Sequence, residues 1–429
     1  MRVGIYCHSI APSIDGVCRR FTGILQELIK QGHEVILFTI EETPQDIPSE
    51  LLDVISLDHV TIAYYPGKKI SAPSLFSWLR IFRGMRKWRP DIVHVTADGL
   101  SQFFALAGCI LSIPVVGSFH TDLIDLLTVL KAPAFQKWCV KTKESVDSNV
   151  LDGCATTSKS FSAKLLNQGV KCDHIINTAV DTEVFNPSMN STKLRKEMTF
   201  GSKNAQLLVY AGRISKEKRI DIIIEAIKDL DNTYLAIVGD GPQAEEYAQL
   251  HGKDNRIYCK PRFLNHDELA QVYASSDIHV SASVFETLGN TVLEAFSCGI
   301  PVVVPLTQGF MDTVHEGIDG LFFQPGSSSD AGLKIRSLLN NKSLRNGMGK
   351  AARSGVQNRT IENVVRDLLA WYDRGISLRY DRTGIVTCFI FLYLCLTVPF
   401  TIFVYNGFAI LVAIFRTNDS KTTVARHPR

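Results

Sequence analysis

The chain has 429 residues, with 46 Lys and Arg against 43 Asp and Glu and a formal charge of +3. That length exceeds what one hydrophobic core usually serves, so it points to two domains or one large α/β unit and away from a single binding module. The near balance of charge, with no basic run interleaved with aromatics, argues against nucleic acid as a partner, and 45% hydrophobic with 21% charged residues excludes a largely disordered chain.

The N-terminus, MRVGIYCHSI, has one basic residue followed by a strand pattern, too short an apolar run for a secretory signal, so the bulk of the chain is expected in the cytosol. RVGIYC, EVILFTI, VTIAYYP, DIVHVT and PVVGSFH then alternate with the amphipathic RRFTGILQELIKQG and SLFSWLRIFRGMRKW and with FFALAGCILS. Strands separated by helical stretches predict a parallel sheet covered on both faces. A second series starts near Gln206 with LLVYAGRI, RIDIIIEAIKDL, TYLAIVGDG, ELAQVYASSD, IHVSAS, TVLEAFSCG, PVVVPL and GLFFQP. The expected fold class is α/β with two Rossmann-like domains, 1–186 and 205–354, joined by a polar linker at 187–204. A helical stretch in 355–382 shows an apolar stripe of Val364, Val365, Leu368, Leu369 and Tyr372, able to pack back across the first domain.

From 383 to 415 no side chain is charged. At about 1.5 Å per residue this is about 50 Å of helix against a bilayer core of about 30 Å. The expectation is a transmembrane or re-entrant anchor, with Pro399 and Asn406-Gly407 as sites for a kink or hairpin and a basic tail at 416–429; a buried core helix is the alternative. The ten cysteines, scattered through apolar or strand-like contexts such as those of Cys7, Cys109, Cys154, Cys259 and Cys298, show no Cys-x-x-Cys pair and no zinc spacing and read as reduced, buried thiols.

The most informative stretch is SVFETLGNTVLEAFSCGIP, residues 283–301, with Glu286 and Glu294 around a predicted strand-to-helix turn. Eight positions leave the two carboxylates about 80° apart on a helix, so Glu286 fits the preceding loop and Glu294 the second turn. The N–H groups of Leu288, Gly289 and Asn290 would open the helix, where unpaired donors and aligned dipoles bind phosphate; a capped helix with incidental glutamates is the plainer alternative. Arg213 and Lys218 follow the first strand of the second series, and cations at a helix start oppose its dipole, which weakens their reading as mere solvated charges. His120 stands at the carboxyl edge of a predicted strand, with Ser118, Thr121 and Asp122 as a polar rim. In the loop from Ala11 to Arg20, Gly16 permits a close approach to a ligand, while Asp15 as an ordinary helix cap is the alternative. Asp229-Leu-Asp231 matches an Asp-x-Asp metal pattern but sits where a capping or solvated loop is expected, and Lys260 and Arg262 read either as base contacts or as surface charges.

Glu-x7-Glu followed by SCGIPVV, together with AGRISKEKRID, VGDGP, GSFHTD and AVDTEVFNP, resembles the retaining glycosyltransferases of family 4 with the GT-B fold, across nearly residues 1–350. Within the family the pattern is similar to sulfoquinovosyl-diacylglycerol synthases and GDP-mannose-dependent α-mannosyltransferases. The resemblance implies an acceptor domain followed by a nucleotide-sugar domain, with Arg213 and Lys218 on the donor diphosphate in place of a metal or other cofactor. It further implies Glu294 on the ribose, Glu286 on the donor-sugar hydroxyls, and His120 beside the sugar without acting as a nucleophile. Many relatives carry two glycines where this chain has Asp15-Gly16, so Arg19 or Arg20 is the alternative contact, to an anionic sugar or acceptor head group. The partners expected are a nucleotide-sugar donor, a lipid or glycolipid acceptor and a membrane. The tail layout also resembles the N-acetylglucosaminyltransferase of GPI-anchor synthesis, although the residues around Glu294 differ; a nucleotide-sugar epimerase and a non-catalytic binding protein are the alternative classes.

Overall fold

The computed structural model describes residues 1–397 except 14, 62–68, 130–132, 253–255, 285, 287 and 382–391. Strands β1 (Arg2–Tyr6), β2 (Glu34–Thr39), β3 (Asp53–Ser56), β4 (His59–Thr61), β5 (Lys69–Ser71), β6 (Ile92–Thr96), β7 (Val115–Phe119), β8 (Gly153–Thr156) and β9 (His174–Ile175) belong to the first half. The second half holds β10 (Gln206–Ala211), β11 (Thr233–Val238), β12 (Ile257–Cys259), β13 (Ile278–Val280), β14 (Val302–Pro305) and β15 (Gly320–Phe323). One sheet runs β3-β2-β1-β6-β7-β8-β9 and the other β12-β11-β10-β13-β14-β15, and every pairing in both is parallel. Helices cover both faces, so β6, β7 and β11 are buried along their whole length and read as continuous apolar runs.

VTIAYYP departs from expectation. Its described part gives β4, which pairs antiparallel with β5 outside the main sheet. Val60 and Thr61 are exposed there, a position that a sheet buried on two faces does not offer. The polar stretch expected as a bare linker is also folded. Pro187–Met189 forms a 3-10 turn, and Thr192–Met198 is a helix capped by Ser191, with Met198 buried in the second half's core beside Val180 and Phe185. Its Arg195 reaches the carbonyls of Ser275 and Ala205, both at 2.7 Å, and the Asp277 carboxylate at 2.6 Å. The polar composition that suggested a linker reflects side chains bonded to the second domain's own backbone.

The helix Ile361–Asp381 crosses back to the first half. Its Val364, Val365, Leu368, Trp371 and Tyr372 are buried in one cluster with Val3 and Ile5 of β1, Phe21 and Leu25 of the first helix, and Val116 of β7. Lys30 reaches Glu362 at 3.1 Å along the same seam. Of the apolar run 383–415, only 392–397 falls among the described residues, as a helical turn whose Leu394 is buried in the first domain's core while Leu392 and Leu396 are exposed. Among the described residues no helix is long and apolar enough to cross a membrane. Cys7, Cys18, Cys154, Cys259 and Cys298 are free and buried, and Cys109 is partly buried; Cys139 is exposed, against the expectation of uniformly buried thiols.

Candidate active site

In parallel sheets of this kind, a crevice forms at the carboxyl ends of the strands where the order reverses, because the connections leave toward opposite faces there. That point lies between β1 and β6 in the first sheet and between β10 and β13 in the second. His8 and Thr96 follow and end the two strands of the first switch point, and the His8 Nδ1 and Thr96 Oγ1 lie 2.9 Å apart. Arg213 follows β10 and Glu286 follows β13, which places both at the second.

Beyond β13 the chain reaches Gly289, which caps the helix Asn290–Ser297 with φ +79° and offers no side chain to its first N–H groups. Glycine takes this left-handed conformation without penalty. Leu288 is buried, so only its backbone can meet a ligand. Glu286 lies in the loop and Glu294 inside the helix, as the spacing predicted. Three residues not singled out in the sequence shape this loop. The Thr313 hydroxyl donates to the Leu288 carbonyl at 2.7 Å, and a Cβ on Gly309 would stand 2.2 Å from the Glu286 carbonyl oxygen. Phe310 lies beneath Gly289, close enough that a Cβ there would come within 2.9 Å of its ring. The only signal in the sequence is a glycine soon after PVVVPL, which is too common to stand out.

Each glutamate is held by a cation. Lys218 Nζ lies 2.5 Å from Glu286 Oε1, so a group able to meet sugar hydroxyls and one able to meet phosphate sit side by side. Glu294 Oε1 accepts from Arg19 at 2.9 Å, and its Oε2 accepts from the Tyr273 hydroxyl at 3.1 Å. Burial raises the Glu294 pKa, while Arg19 and Tyr273 work in the opposite direction. The Arg213 carbonyl accepts from the Tyr210 hydroxyl at 2.7 Å, which fixes the turn after β10. Arg19 comes from the first domain, and beside it Gly16 abuts the opposite helix start: a Cβ there would lie 2.7 Å from Asn290 Nδ2. Gly16 therefore serves the approach of the two domains, and Asp15 is the helix cap, accepting from the N–H of Val17 and Cys18.

His120 sits in a directed chain of hydrogen bonds. A guanidinium only donates, so Arg20 Nη1, 2.8 Å from His120 Nδ1, makes that nitrogen an acceptor. The ring proton then lies on Nε2 and is donated to Ser118 Oγ at 2.7 Å. Ser118 in turn donates to His94 Nε2 at 2.7 Å, and His94 Nδ1 donates to the Tyr372 hydroxyl at 2.7 Å. Burial, with Arg20 adding to it, holds His120 well below the usual imidazole range, and burial pushes His94 down to about 3. Both rings are thus neutral at physiological pH. Of the rim expected around His120, Ser118 hydrogen-bonds it. Asp122 instead accepts from the Asp125 N–H at 3.0 Å and pairs with Lys164 at 2.6 Å, because it opens the helix Leu123–Val129. Lys260 and Arg262 are spent on surface pairs with Glu197 and Glu268, each at 2.8 Å. Asp229 and Asp231 lie in the turn before β11, and among the described residues no group of three or more His, Cys, Asp or Glu could hold a metal ion.

Two Rossmann-like domains with cations, carboxylates and a buried histidine at the carboxyl ends of their strands have the architecture of the GT-B fold. The Glycosyltransferase Family 4 model matches residues 14–184 and the Glycosyl transferases group 1 model matches residues 192–355. The chain is 32% identical over 353 residues to the sulfoquinovosyl transferase SQD2 of Arabidopsis thaliana, covering 79% of this chain and 67% of that one. It is 27% identical over 346 residues to the alpha-monoglucosyldiacylglycerol synthase of Acholeplasma laidlawii, covering 75% and 85%. The crystal structure of Anabaena Alr3699/HepE in complex with UDP superposes with a TM-score of 0.70 at 16% identity, over 87% of this chain and all of that one. The chain belongs to glycosyltransferase family 4 and is a glycosyltransferase.

Proposed function

We propose that the protein transfers a hexose, with retention, from a nucleotide diphosphate sugar to a lipid or glycolipid acceptor, in the manner of a sulfoquinovosyl transferase. The observation that carries the reading is the contact of Lys218 with Glu286 at the second switch point. Arg213 and Lys218 stabilise the charge that grows on the diphosphate as the sugar leaves, assisted by the N–H groups of Leu288, Gly289 and Asn290. Glu286, released as Lys218 turns to the phosphate, takes the sugar hydroxyls. Glu294, buried beside Tyr273, takes the ribose, and Arg19 moves from it to the incoming donor. His120, with both nitrogens engaged, orients the sugar and does not attack it. These cations do the work that a metal does elsewhere, so the reaction needs none.

A lipid acceptor is supported by the name of the relative that makes monoglucosyldiacylglycerol and by the uncharged run 383–415, which we read as a C-terminal membrane anchor with the catalytic domains in the cytosol. The test is a transfer panel on the purified full chain with UDP-, GDP- and ADP-hexoses, with and without diacylglycerol or phosphatidylinositol, each with and without EDTA. Turnover with one donor and a lipid, unaffected by EDTA, is expected. No turnover with any pair refutes the reading, and complete loss in EDTA restored by manganese or magnesium refutes the metal-free mechanism.

A further inference from the structure

Arg19 and Arg20 are adjacent, yet their surroundings differ. Arg19 is neutralised by Glu294 at 2.9 Å. Arg20 forms no ion pair among the described residues: it gives one hydrogen bond to His120 Nδ1 at 2.8 Å and another to the hydroxyl of Thr178. Its Nε is out of solvent with no acceptor at all. Burial pulls the guanidinium pKa down to about 10, with no neighbouring carboxylate to hold it up. A guanidinium partly withdrawn from water and bonded to neutral acceptors alone costs stability, and such groups are normally paired. Five donors in a rigid plane suit an oxyanion with two or three oxygens, which would take the remaining N–H groups side by side. The site is not the diphosphate's own seat, because Arg213 and Lys218 supply that charge from the other domain, whereas Arg20 belongs to the first domain and bonds directly to His120.

We infer that Arg20 is the seat of a second anionic group on the substrates, a sulfonate, carboxylate or phosphate distinct from the nucleotide diphosphate. It thereby selects an anionic hexose donor or an anionic lipid head group over the neutral counterpart. The inference rests on the transfer reaction proposed above and names the chemistry that distinguishes its substrates. Gln at position 20 removes the charge while keeping a shorter polar side chain with an N–H donor; Lys retains the charge and loses the fork.

The experiment compares wild type, Arg20→Gln and Arg20→Lys on two pairs of substrates, using the nucleotide carrier selected by the panel. One arm sets the sulfoquinovose and glucuronate donors against the glucose donor on diacylglycerol. The other sets phosphatidylinositol against diacylglycerol with the glucose donor. In one arm wild type should prefer the anionic member, and Arg20→Gln should lower kcat/KM for that member by about 30-fold more than for the neutral one. Arg20→Lys should fall between them. The arm that responds identifies whether donor or acceptor carries the anion. Affinity for the free nucleoside diphosphate should stay within about threefold of wild type in both variants, which also shows that they fold. Equal losses on anionic and neutral members in both arms, or wild-type turnover of neutral donors on neutral acceptors alone, would overturn the inference and leave the transferase reading intact. An inactive wild type would instead overturn that reading.

Discussion

Gly309→Ala is the most direct test of how the Glu286 loop is positioned. The added Cβ would lie 2.2 Å from the Glu286 carbonyl oxygen and 2.6 Å from both its carbon and the Leu288 nitrogen, where ordinary contact begins at 3.4 Å. All three neighbours are backbone atoms, so no side chain can swing away and the loop must move by about 1 Å. A displacement of that size in a substrate-positioning group costs about a hundredfold in rate, or about 2.7 kcal/mol. The loss should fall mainly on kcat, because Glu286 moves with the loop whereas Glu294 and Arg213, the groups proposed for the nucleotide, stand outside the displaced segment, and the shifted Leu288 N–H is one phosphate donor among several. Steady-state kinetics with calorimetry on the free nucleoside diphosphate separates the two, and Gly347→Ala, where a Cβ meets nothing within 4 Å, is the silent control. A kcat within threefold of wild type, or a nucleotide affinity that falls in parallel with kcat, would refute the positioning argument.

Glu294→Ala should weaken nucleoside diphosphate binding at least tenfold, whereas His120→Ala should leave it near wild type and depress kcat; calorimetry showing equal losses in the two would give His120 a purely structural role. Glu144, buried in the helix Ala134–Val150, has its pKa pushed up to about 7 by burial, so it gives up its proton later in the folded chain than in the unfolded one. Its ionisation is therefore increasingly destabilising as pH rises from about 4.5 to 7, and Glu144→Gln should gain roughly 2–3 kcal/mol relative to wild type between pH 5 and pH 8 in denaturant titrations; a pH-independent difference would show the carboxylate to be solvated. A chain ending at Asp381 keeps the helix that crosses to the first domain, loses the buried Leu394 at a cost in stability, and should leave the membrane fraction while still turning over a short-chain acceptor. Its persistence in carbonate-washed membranes would place the anchor elsewhere.

What could be read from the sequence was local. Glu286, Gly289 and Glu294 lie within one strand-turn-helix unit, so spacing alone set their relative positions, and the alternation of strands and helices was enough for two parallel sheets. What escaped depends on distant pairs. The apolar stripe with Tyr372 pointed back to the first domain, but Tyr372 and His94 are 278 positions apart and nothing around either singles out that hydrogen bond. The choice between Arg19 and Arg20 turns on which one faces Glu294, a question of helical phase and domain closure. The stretch 187–204 misled because composition records polarity without recording that Arg195 uses its polarity to cap the second domain's carbonyls.

The crossing helix has a consequence for how the chain is made. Residues 2–175 contain every strand of the first sheet, but the core shared by the first helix and β7 is completed by Trp371 and Tyr372. A ribosome that has just released β9 has therefore produced a domain lacking a wall, and the wall arrives only after the entire second domain has emerged. The first domain is sequentially early and energetically late. Exchanging first domains between relatives at the junction near residue 190 would leave each recipient with a foreign closing helix, so a chimera must carry Ile361–Asp381 together with the sheet it closes.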